Sequence, residues 1–232
     1  MPTDTQKELA LLAEEVAACA VCPRLVAWRE EAAANPPRRY RGWRYWARPV
    51  PGFGDPRARI VVVGLAPGAH GANRTGRPFT GDRSGQWLYA AMHSAGLASQ
   101  PTSTDRDDGL CLRDAYVTAV VRCAPPANRP APAERDRCLP YLDRELRVLE
   151  RARVLVGLGA FAWDGTLLAL RGLGHEVPRP KPRFTHGAEV EIGPYVMLGC
   201  YHVSQQNTFT GKLTREMLDA VFARACGIVS GS

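Results

Sequence analysis

The chain has 232 residues, of which 45% are hydrophobic and 23% are charged, a composition that excludes a wholly disordered protein. Its 30 Lys and Arg residues outnumber its 23 Asp and Glu residues, and the net charge of +7 favours an anionic partner such as nucleic acid. No apolar run approaches the roughly 20 residues of a membrane helix, and acidic residues interrupt the first apolar stretch, so we expect no membrane segment and no signal peptide. We therefore expect a cytoplasmic protein whose cysteines are thiols or metal ligands rather than disulfides.

The first 56 residues predict one helix followed by a basic arm. Leu9, Leu12 and Val16 recur at helical spacing within residues 4–20, and Pro23 limits the continuation of that helix. Residues 35–56 are rich in Pro, Gly, Arg and aromatic residues and predict an ordered arm or a long loop. The arm could grip the phosphates of a nucleic acid, or it could wrap on its own domain with its aromatic residues in the core. The arginines concerned are Arg38, Arg39, Arg41, Arg44 and Arg48.

Beyond the arm, predicted strands alternate with predicted helices. Continuous apolar runs predict four strands buried on both faces, with a fifth, short edge strand: residues 59–65, 115–121, 153–158 and 195–200, and 189–192 at the edge. Helical patterns cover residues 84–95, 133–152, 160–171 and 213–225. This order predicts an α/β fold, namely a three-layer α/β/α sandwich with a central, mainly parallel four-stranded sheet. We expect a single domain over residues 1–232, with the helix and arm of residues 1–56 packed on a core of residues 57–232.

Four of the seven cysteines have the spacing of metal ligands. Cys19 and Cys22 form a C-x2-C pair, and Cys123 and Cys138 are separated by 14 residues. Four soft thiolates suit a tetrahedral zinc ion or an iron–sulfur cluster. The spacing alone also allows four unrelated buried thiols, because free cysteine is often buried.

A glycine-rich loop, residues 64–82, follows the first predicted strand. It lacks the spacing of a Walker A loop or a dinucleotide fingerprint, but its backbone N–H groups could bind the oxygens of a base or a phosphate. Because ligands gather beyond the carboxyl ends of parallel strands, we expect Phe79 to border a pocket and stack on a flat ring. Phe79 could instead plug the core beneath the loop, and Asp82 could be only the N-cap of the next helix.

The loop after the last predicted strand, residues 200–214, falls at the same edge of the sheet. His202 directly follows the buried strand, where sheet topology places ligand chemistry, although it could also be bonded into the scaffold. Ser204 could bond a phosphate or cap a turn, and the three amides after it suit contacts to nucleic acid. Those amides are Gln205, Gln206 and Asn207.

Taken together, these segments resemble the uracil-DNA glycosylase superfamily, and within it the family 5 enzymes. The first motif runs from Gly64 to Gly68 and is followed by Gly76-Arg77-Pro78-Phe79, and His202-Val203-Ser204 corresponds to the superfamily's H-P-S. The resemblance covers residues 19 to about 214. It implies a 4Fe–4S cluster, rather than zinc, held by four ligands: Cys19, Cys22, Cys123 and Cys138. It also implies a DNA base-excision repair enzyme that hydrolyses the N-glycosidic bond of uracil and leaves an abasic site.

The chain departs from related families at several motif positions. Ala66 stands where family 1 has an Asp, and Ala69 stands where family 4 has an acid, so the usual activator of water is missing, as in family 5 generally. Ala119 stands where family 4 has a uracil-reading Asn, which implies that hypoxanthine and xanthine are also accepted. Val203 replaces the Pro of the second motif.

The resemblance and the chemistry of base release together assign roles to the site residues. His202 would donate a hydrogen bond to the departing base, and Asp82 would hold water and offset the charge of the sugar. The catalytic set is Asp82, His202 and Asn207, and the base-binding set is Ala66, Gly68, Phe79 and Ala119. We expect DNA contacts from Arg74, Ser204, Gln205 and Gln206, of which Gln206 matches the position of the wedge residue in relatives.

The expected partner is double- or single-stranded DNA containing deaminated bases, bound by a monomer. Two other functions fit the sequence. A non-catalytic iron–sulfur protein could bind damaged DNA or sense redox state, and a related hydrolase could act on free nucleosides or nucleotides.

Overall fold

The computed structural model describes residues 3–231, so Met1, Pro2 and Ser232, the ends of the predicted domain, lie outside the described residues. The helices are α1 (Asp4–Ala18), α2 (Pro23–Ala34), α3 (Ala72–Thr75), α4 (Arg83–Ser94), α5 (Pro132–Val148), α6 (Ala160–Gly172), α7 (Gln205–Phe209) and α8 (Arg215–Ser230). The strands are β1 (Phe53–Gly54), β2 (Ile60–Gly64), β3 (Ala115–Ala119), β4 (Val154–Leu158), β5 (Glu189–Ile192) and β6 (Tyr195–Cys200).

The strands form one sheet in the order β1-β3-β2-β4-β6-β5. The four central strands are parallel to one another, and β1 and β5 pair antiparallel at the two edges. The α/β class is therefore confirmed, whereas the expected four-stranded sheet is wrong in number because the sheet has six strands. The additional strand β1 is only two residues long, too short to produce a period in the sequence, and it lies inside the segment predicted as an arm.

Helices cover both faces of the sheet because its central strands are apolar on both sides. One hydrophobic cluster packs side chains of α5 and α6, such as Leu142 and Trp163, against the sheet. A second cluster on the opposite face contains Leu88 of α4 and Phe222 of α8. These layers form the predicted α/β/α sandwich and leave the carboxyl ends of the parallel strands to the connecting loops.

The segment before the core contains a helix, α2, that the sequence analysis missed. Pro23 is at the first position of α2, where the missing N–H costs nothing, so the proline begins a helix rather than only ending one. The arm then runs along the glycine-rich loop, where Trp46 N donates to Arg74 O at 2.9 Å and Ala47 N donates to Asn73 O at 3.0 Å. Within residues 3–231, no helix combines the length and apolar character that crossing a membrane requires.

Candidate active site and cysteine cluster

Two loops meet at the carboxyl edge of the sheet. One connects β2 to α4 and carries Phe79 and Asp82, and the other follows β6 and carries His202. The ring centroids of Phe79 and His202 are 6.1 Å apart, with their planes tilted by 39°. Both side chains are partly exposed. Residues separated by more than 120 positions in the sequence therefore border one site.

Phe79 lies over the end of β2 because Gly64 has no side chain. A Cβ atom at Gly64 would lie 2.7 Å from Cζ of Phe79, a distance that real contacts do not reach. Phe79 has a φ of 49°, an unusual conformation for an aromatic residue. Ala119 pairs with Gly64 in the sheet register, which puts the predicted base-binding position at the strand end beneath the ring.

Buried polar contacts hold the loop on both sides of Phe79. Tyr89 Oη donates to Pro78 O at 2.8 Å, and Arg77 Nε donates to Thr80 Oγ1 at 2.9 Å. Arg77 also forms a buried ion pair with Asp108, with 2.7 Å between Nη2 and Oδ2. The rigid surroundings explain how the unfavourable φ of Phe79 persists.

Asp82 both caps a helix and faces the glycine-rich loop. Its Oδ1 accepts a hydrogen bond from Gly85 N at 3.0 Å, which makes it the N-cap of α4. Its Oδ2 lies against the backbone of Gly68 and Gly71, since a Cβ built at Gly68 would be only 3.1 Å from that oxygen. Burial raises the pKa of Asp82, although the N–H groups of Gly85 and Ser84 and the charge of Arg74 act in the opposite direction. The carboxyl group is thus a stronger base than an exposed aspartate.

The first motif presents free backbone donors beside this carboxylate. Among the residues that the structure describes, the N–H groups of Ala66, Gly68 and Ala69 have no hydrogen-bond acceptor. Gly68 O, in contrast, accepts hydrogen bonds from Gly71 N and Asn73 N, which fix the turn. Donors held in a fixed turn suit the carbonyl oxygens of a base or the oxygens of a phosphate.

His202 is held by its backbone and leaves its ring available. Asn207 Nδ2 donates to His202 O at 2.8 Å, and a Cβ at Gly159 would approach Cβ of His202 to 3.3 Å, so the loop packs closely there. Neither ring nitrogen has a hydrogen-bond partner among residues 3–231. Burial lowers the pKa of His202 to about 4. The imidazole is therefore neutral at pH 7 and can donate one hydrogen bond to a ligand.

The other residues of this loop differ in what they can reach. Asn207 uses its amide to fix His202, which makes it a positioning residue in this structure. Ser204 is the N-cap of α7 and accepts from Asn207 N at 3.4 Å. Gln205 and Gln206 are exposed on the first turn of α7 and are accessible to DNA.

The expected contact of Arg74 with DNA requires correction. Arg74 is 4% exposed, and its guanidinium donates to His70 O at 3.0 Å and to Gly81 O at 2.8 Å. The rings of Tyr40 and Trp43 also lie 4.4 Å from its central carbon. Arg74 therefore supports the loop that carries Asp82 and is too enclosed to bind a phosphate.

The basic arm packs on its own domain and keeps its arginines exposed. Its aromatic residues pack on the glycine-rich loop, and Tyr45 Oη forms a 3.0 Å hydrogen bond with His70 Nδ1. Its five arginines stay exposed beside that loop: Arg38, Arg39, Arg41, Arg44 and Arg48. The contact between Tyr45 and His70 could not be predicted, because the two residues belong to different segments.

The four predicted ligand cysteines line one cavity, on the side of the core where α2 and α5 approach each other: Cys19, Cys22, Cys123 and Cys138. Arg29 of α2 donates to Cys123 Sγ at 3.2 Å, a contact that could not be predicted without α2. Burial raises the pKa of Cys123 to about 12, so that a bound metal would have to displace its proton.

Among the described residues, no three potential ligands are arranged to hold a single metal ion. A 4Fe–4S cluster bonds each thiolate to a different iron and does not need the sulfurs to converge on one point. The soft donor set and its enclosure thus fit such a cluster.

These features define an α/β protein with a ligand site at the carboxyl edge of a parallel sheet, built from an aromatic platform, a half-buried carboxylate and a neutral histidine. The model of the Uracil DNA glycosylase superfamily matches residues 51–225. The chain belongs to this superfamily, and thus to a family of hydrolytic DNA glycosylases.

Named relatives confirm the resemblance to family 5. A Type-5 uracil-DNA glycosylase of Mycobacterium tuberculosis is 54% identical over 212 residues, covering 90% of this chain and 78% of the relative. The Type-5 uracil-DNA glycosylase of Thermus thermophilus is 52% identical and covers 91% and 94% of the two chains. A Type-4 uracil-DNA glycosylase of Archaeoglobus fulgidus is 40% identical over 114 residues, about half of each chain. This membership favours an enzyme over the non-catalytic alternative.

Proposed function

We propose that this enzyme removes uracil from DNA by hydrolysing the N-glycosidic bond, and that it also removes hypoxanthine and xanthine. The observation that carries the proposal is the approach of Phe79 and His202 to 6.1 Å at the carboxyl edge of the sheet. An aromatic platform and a neutral hydrogen-bond donor are the groups that a base leaving as an anion requires.

Base recognition begins with eversion of the nucleotide, because a base inside a duplex is out of reach. The everted base would stack on Phe79, and its carbonyl oxygens would accept from the N–H groups of Ala66 and Gly68. The exposed Arg38, Arg39, Arg41, Arg44 and Arg48 beside the same loop supply positive charge for the DNA backbone. Contacts to the strand would come from the start of α7, from Ser204, Gln205 and Gln206.

Bond cleavage leaves negative charge on the base and positive charge on the sugar. His202 would donate to the base without carrying a charge of its own, which suits its pKa of about 4. Loss of one such donor typically reduces a rate by about 10²-fold or more. Asn207 acts through His202, whose carbonyl it binds.

Asp82 is the carboxylate that would position water and offset the positive charge of the sugar. It is aimed at the loop of Gly68 and Gly71 and is held in place by its cap to α4. Its raised pKa makes it a better proton acceptor than an exposed Asp, and the electrophilic sugar needs only modest activation of the water.

A broad choice of base follows from the small side chain at the end of β3. Ala119 pairs with Gly64 beneath Phe79, so no side-chain amide at that position selects the edge of uracil. A methyl group neither matches nor rejects a particular pattern of donors and acceptors, which allows a purine such as hypoxanthine.

We also propose that Cys19, Cys22, Cys123 and Cys138 hold a 4Fe–4S cluster. When bound, such a cluster supplies covalent cross-links and no step of the hydrolysis. The four thiols would join the segment that begins α2 to the segment between β3 and α5. Retention of thiolate ligands requires a reducing compartment, which supports a cytoplasmic location, and the proposed state is a monomer.

The test is base release by the purified protein from single- and double-stranded DNA that contains uracil, hypoxanthine or xanthine. We expect alkali-labile abasic sites, with His202→Ala and Asp82→Ala lowering turnover much more than DNA affinity. An absence of abasic sites from all three bases, with the cluster intact, would refute the proposal. Damage binding without release would favour the non-catalytic protein, and turnover of free nucleosides would favour the other hydrolase.

A further inference from the structure

One buried arginine of the cysteine cavity has no carboxylate to neutralise it. Arg29 of α2 is only 6% exposed and lines the cavity together with the four predicted ligand cysteines. Within the part of the chain that the structure describes, it forms no ion pair with an acidic side chain, and its Nε has no hydrogen-bond partner. Because a charge removed from water is costly unless an opposite charge compensates it, this cation requires an anion beside it.

Other buried arginines have partners that Arg29 lacks. Arg122, which lines the same cavity, forms an ion pair with Glu145, with 2.6 Å between Nη2 and Oε2. Arg74 is covered instead by aromatic rings, whose faces attract a cation. Arg29 has neither a carboxylate nor an aromatic face as a partner among residues 3–231. The missing partner must therefore come from what the cavity binds.

The contacts that Arg29 does make direct its guanidinium at the cysteines. Its Nη1 donates to Cys123 Sγ at 3.2 Å and to Cys19 O at 3.3 Å, so it reaches the segments of both cysteine pairs. A neutral thiol is only a weak acceptor and does not balance a guanidinium. Four thiolates carry more negative charge than an iron–sulfur core carries positive charge, so the bound group is an anion. Its charge is the one that Arg29 lacks.

We infer that Arg29 is the counter-ion of the cluster, and that its charge retains the cluster and raises its reduction potential. This inference rests on the proposed 4Fe–4S cluster. A cation beside the sulfurs stabilises the reduced form more than the oxidised form, because the attraction grows with the negative charge of the group. Among the described residues, the side chain of Arg29 has hydrogen bonds only to Cys19 and Cys123. The role therefore concerns the cluster rather than the hydrolysis.

Two substitutions separate the charge of Arg29 from its hydrogen bonds. Arg29→Gln keeps an N–H donor and removes the charge, whereas Arg29→Lys keeps the charge on a different donor. The matched control is Glu30→Gln, which also changes one charge on α2, but at an exposed side chain where water and salt screen it. Arg29→Met provides the same loss of charge if Arg29→Gln does not fold.

The measurements are made on the full chain, purified without oxygen and with its cluster bound. One is the one-electron reduction potential, obtained by voltammetry, and the other is the rate at which an iron chelator removes the visible absorption of the cluster. We expect Arg29→Gln to lower the potential and to speed cluster loss about tenfold or more, as is typical when a partner of a metal ligand is removed. Arg29→Lys should stay close to the unmodified protein, and Glu30→Gln should change neither quantity.

Three results would overturn the inference. They are an unchanged potential or an unchanged rate of cluster loss in Arg29→Gln, equal effects of Arg29→Gln and Arg29→Lys, and a shift of the same size in Glu30→Gln. Absence of visible absorption from the unmodified protein would instead refute the proposed cluster, and the counter-ion with it. Release of uracil is assayed separately on the same protein, and its presence would leave the proposed glycosylase standing in either case.

Discussion

The placement of Asp82 can be disturbed without changing Asp82 itself. A Cβ atom at Gly71 would overlap Oδ2 of Asp82 and would lie 2.7 Å from its Cγ. At φ −101° and ψ −103°, Gly71 lies outside the common backbone regions of other residues, so the stability of the variant is measured beside its rate. Gly71→Ala should therefore push the carboxyl group out of place, because the side chain yields more easily than the two backbones.

The size of the displacement follows from contact distances. Ordinary contacts of a Cβ begin at 3.4 Å, so Cγ of Asp82, now 2.7 Å away, must move by at least about 0.7 Å. A misplacement of about 1 Å at a reacting group can reduce a rate by 10²-fold. We expect a reduction of about that size for Gly71→Ala, approaching that of Asp82→Ala. Loss of the cap to Gly85 would cost about 1 kcal/mol of stability, too little to unfold the protein.

The assay is single-turnover excision of uracil from single-stranded DNA, accompanied by thermal unfolding. Gly68→Ala should have a smaller effect, since its Cβ would be 3.1 Å from Asp82 Oδ2. Gly227→Ala, on α8, meets no atom within 4 Å and should leave the rate unchanged. A Gly71→Ala enzyme that folds and cleaves at the normal rate would refute the placement of Asp82 in the reaction.

Three further perturbations test other parts of the site. Because burial raises the pKa of Asp82, the rate should fall as the pH decreases toward that raised pKa and Asp82 binds a proton. Because burial lowers the pKa of His202 to about 4, His202→Ala should not remove this fall, and an inflection near 6.5 that disappears in His202→Ala would contradict the assignment. Asn207→Ala removes the 2.8 Å hydrogen bond to His202 O. We expect this variant to lower kcat about tenfold with little change in the Kd for DNA. A change in Kd alone would assign Asn207 to DNA binding. Cys138→Ala should abolish the visible absorption of anaerobically purified protein and lower its Tm. The control variant Cys111→Ser, at an exposed thiol, should change neither. Visible absorption retained by Cys138→Ala would remove Cys138 from the set of cluster ligands.

The central strands could be predicted because their sequence and their environment agree. Each of β2, β3, β4 and β6 lies between two helical layers, and burial on both faces requires the continuous apolar runs that the sequence displays. The bounds of β5 agree with the expected edge strand. Helix α2 was missed because Pro23 indicates a helix start as readily as an end, and only its surroundings decide between them.

The site could be predicted as far as topology determines it. Parallel strands end at one edge, so Phe79 and His202 were expected to meet there, and the structure brings them together. Whether a charged side chain at that edge faces solvent depends on tertiary packing, which the helix and strand periodicity of apolar residues does not reveal. For this reason Arg74 was expected to contact DNA, although Tyr40 and Trp43 pack against its guanidinium.

The position of the everted base tests the central claim most directly. The measurement is a crystal structure of the Asp82→Asn variant bound to a duplex that contains a non-hydrolysable 2′-fluoro deoxyuridine. We expect the uracil ring to lie outside the duplex, stacked on Phe79, with a ring nitrogen of His202 within about 3.2 Å of a uracil carbonyl oxygen. A uracil bound away from both side chains would contradict the proposed mechanism.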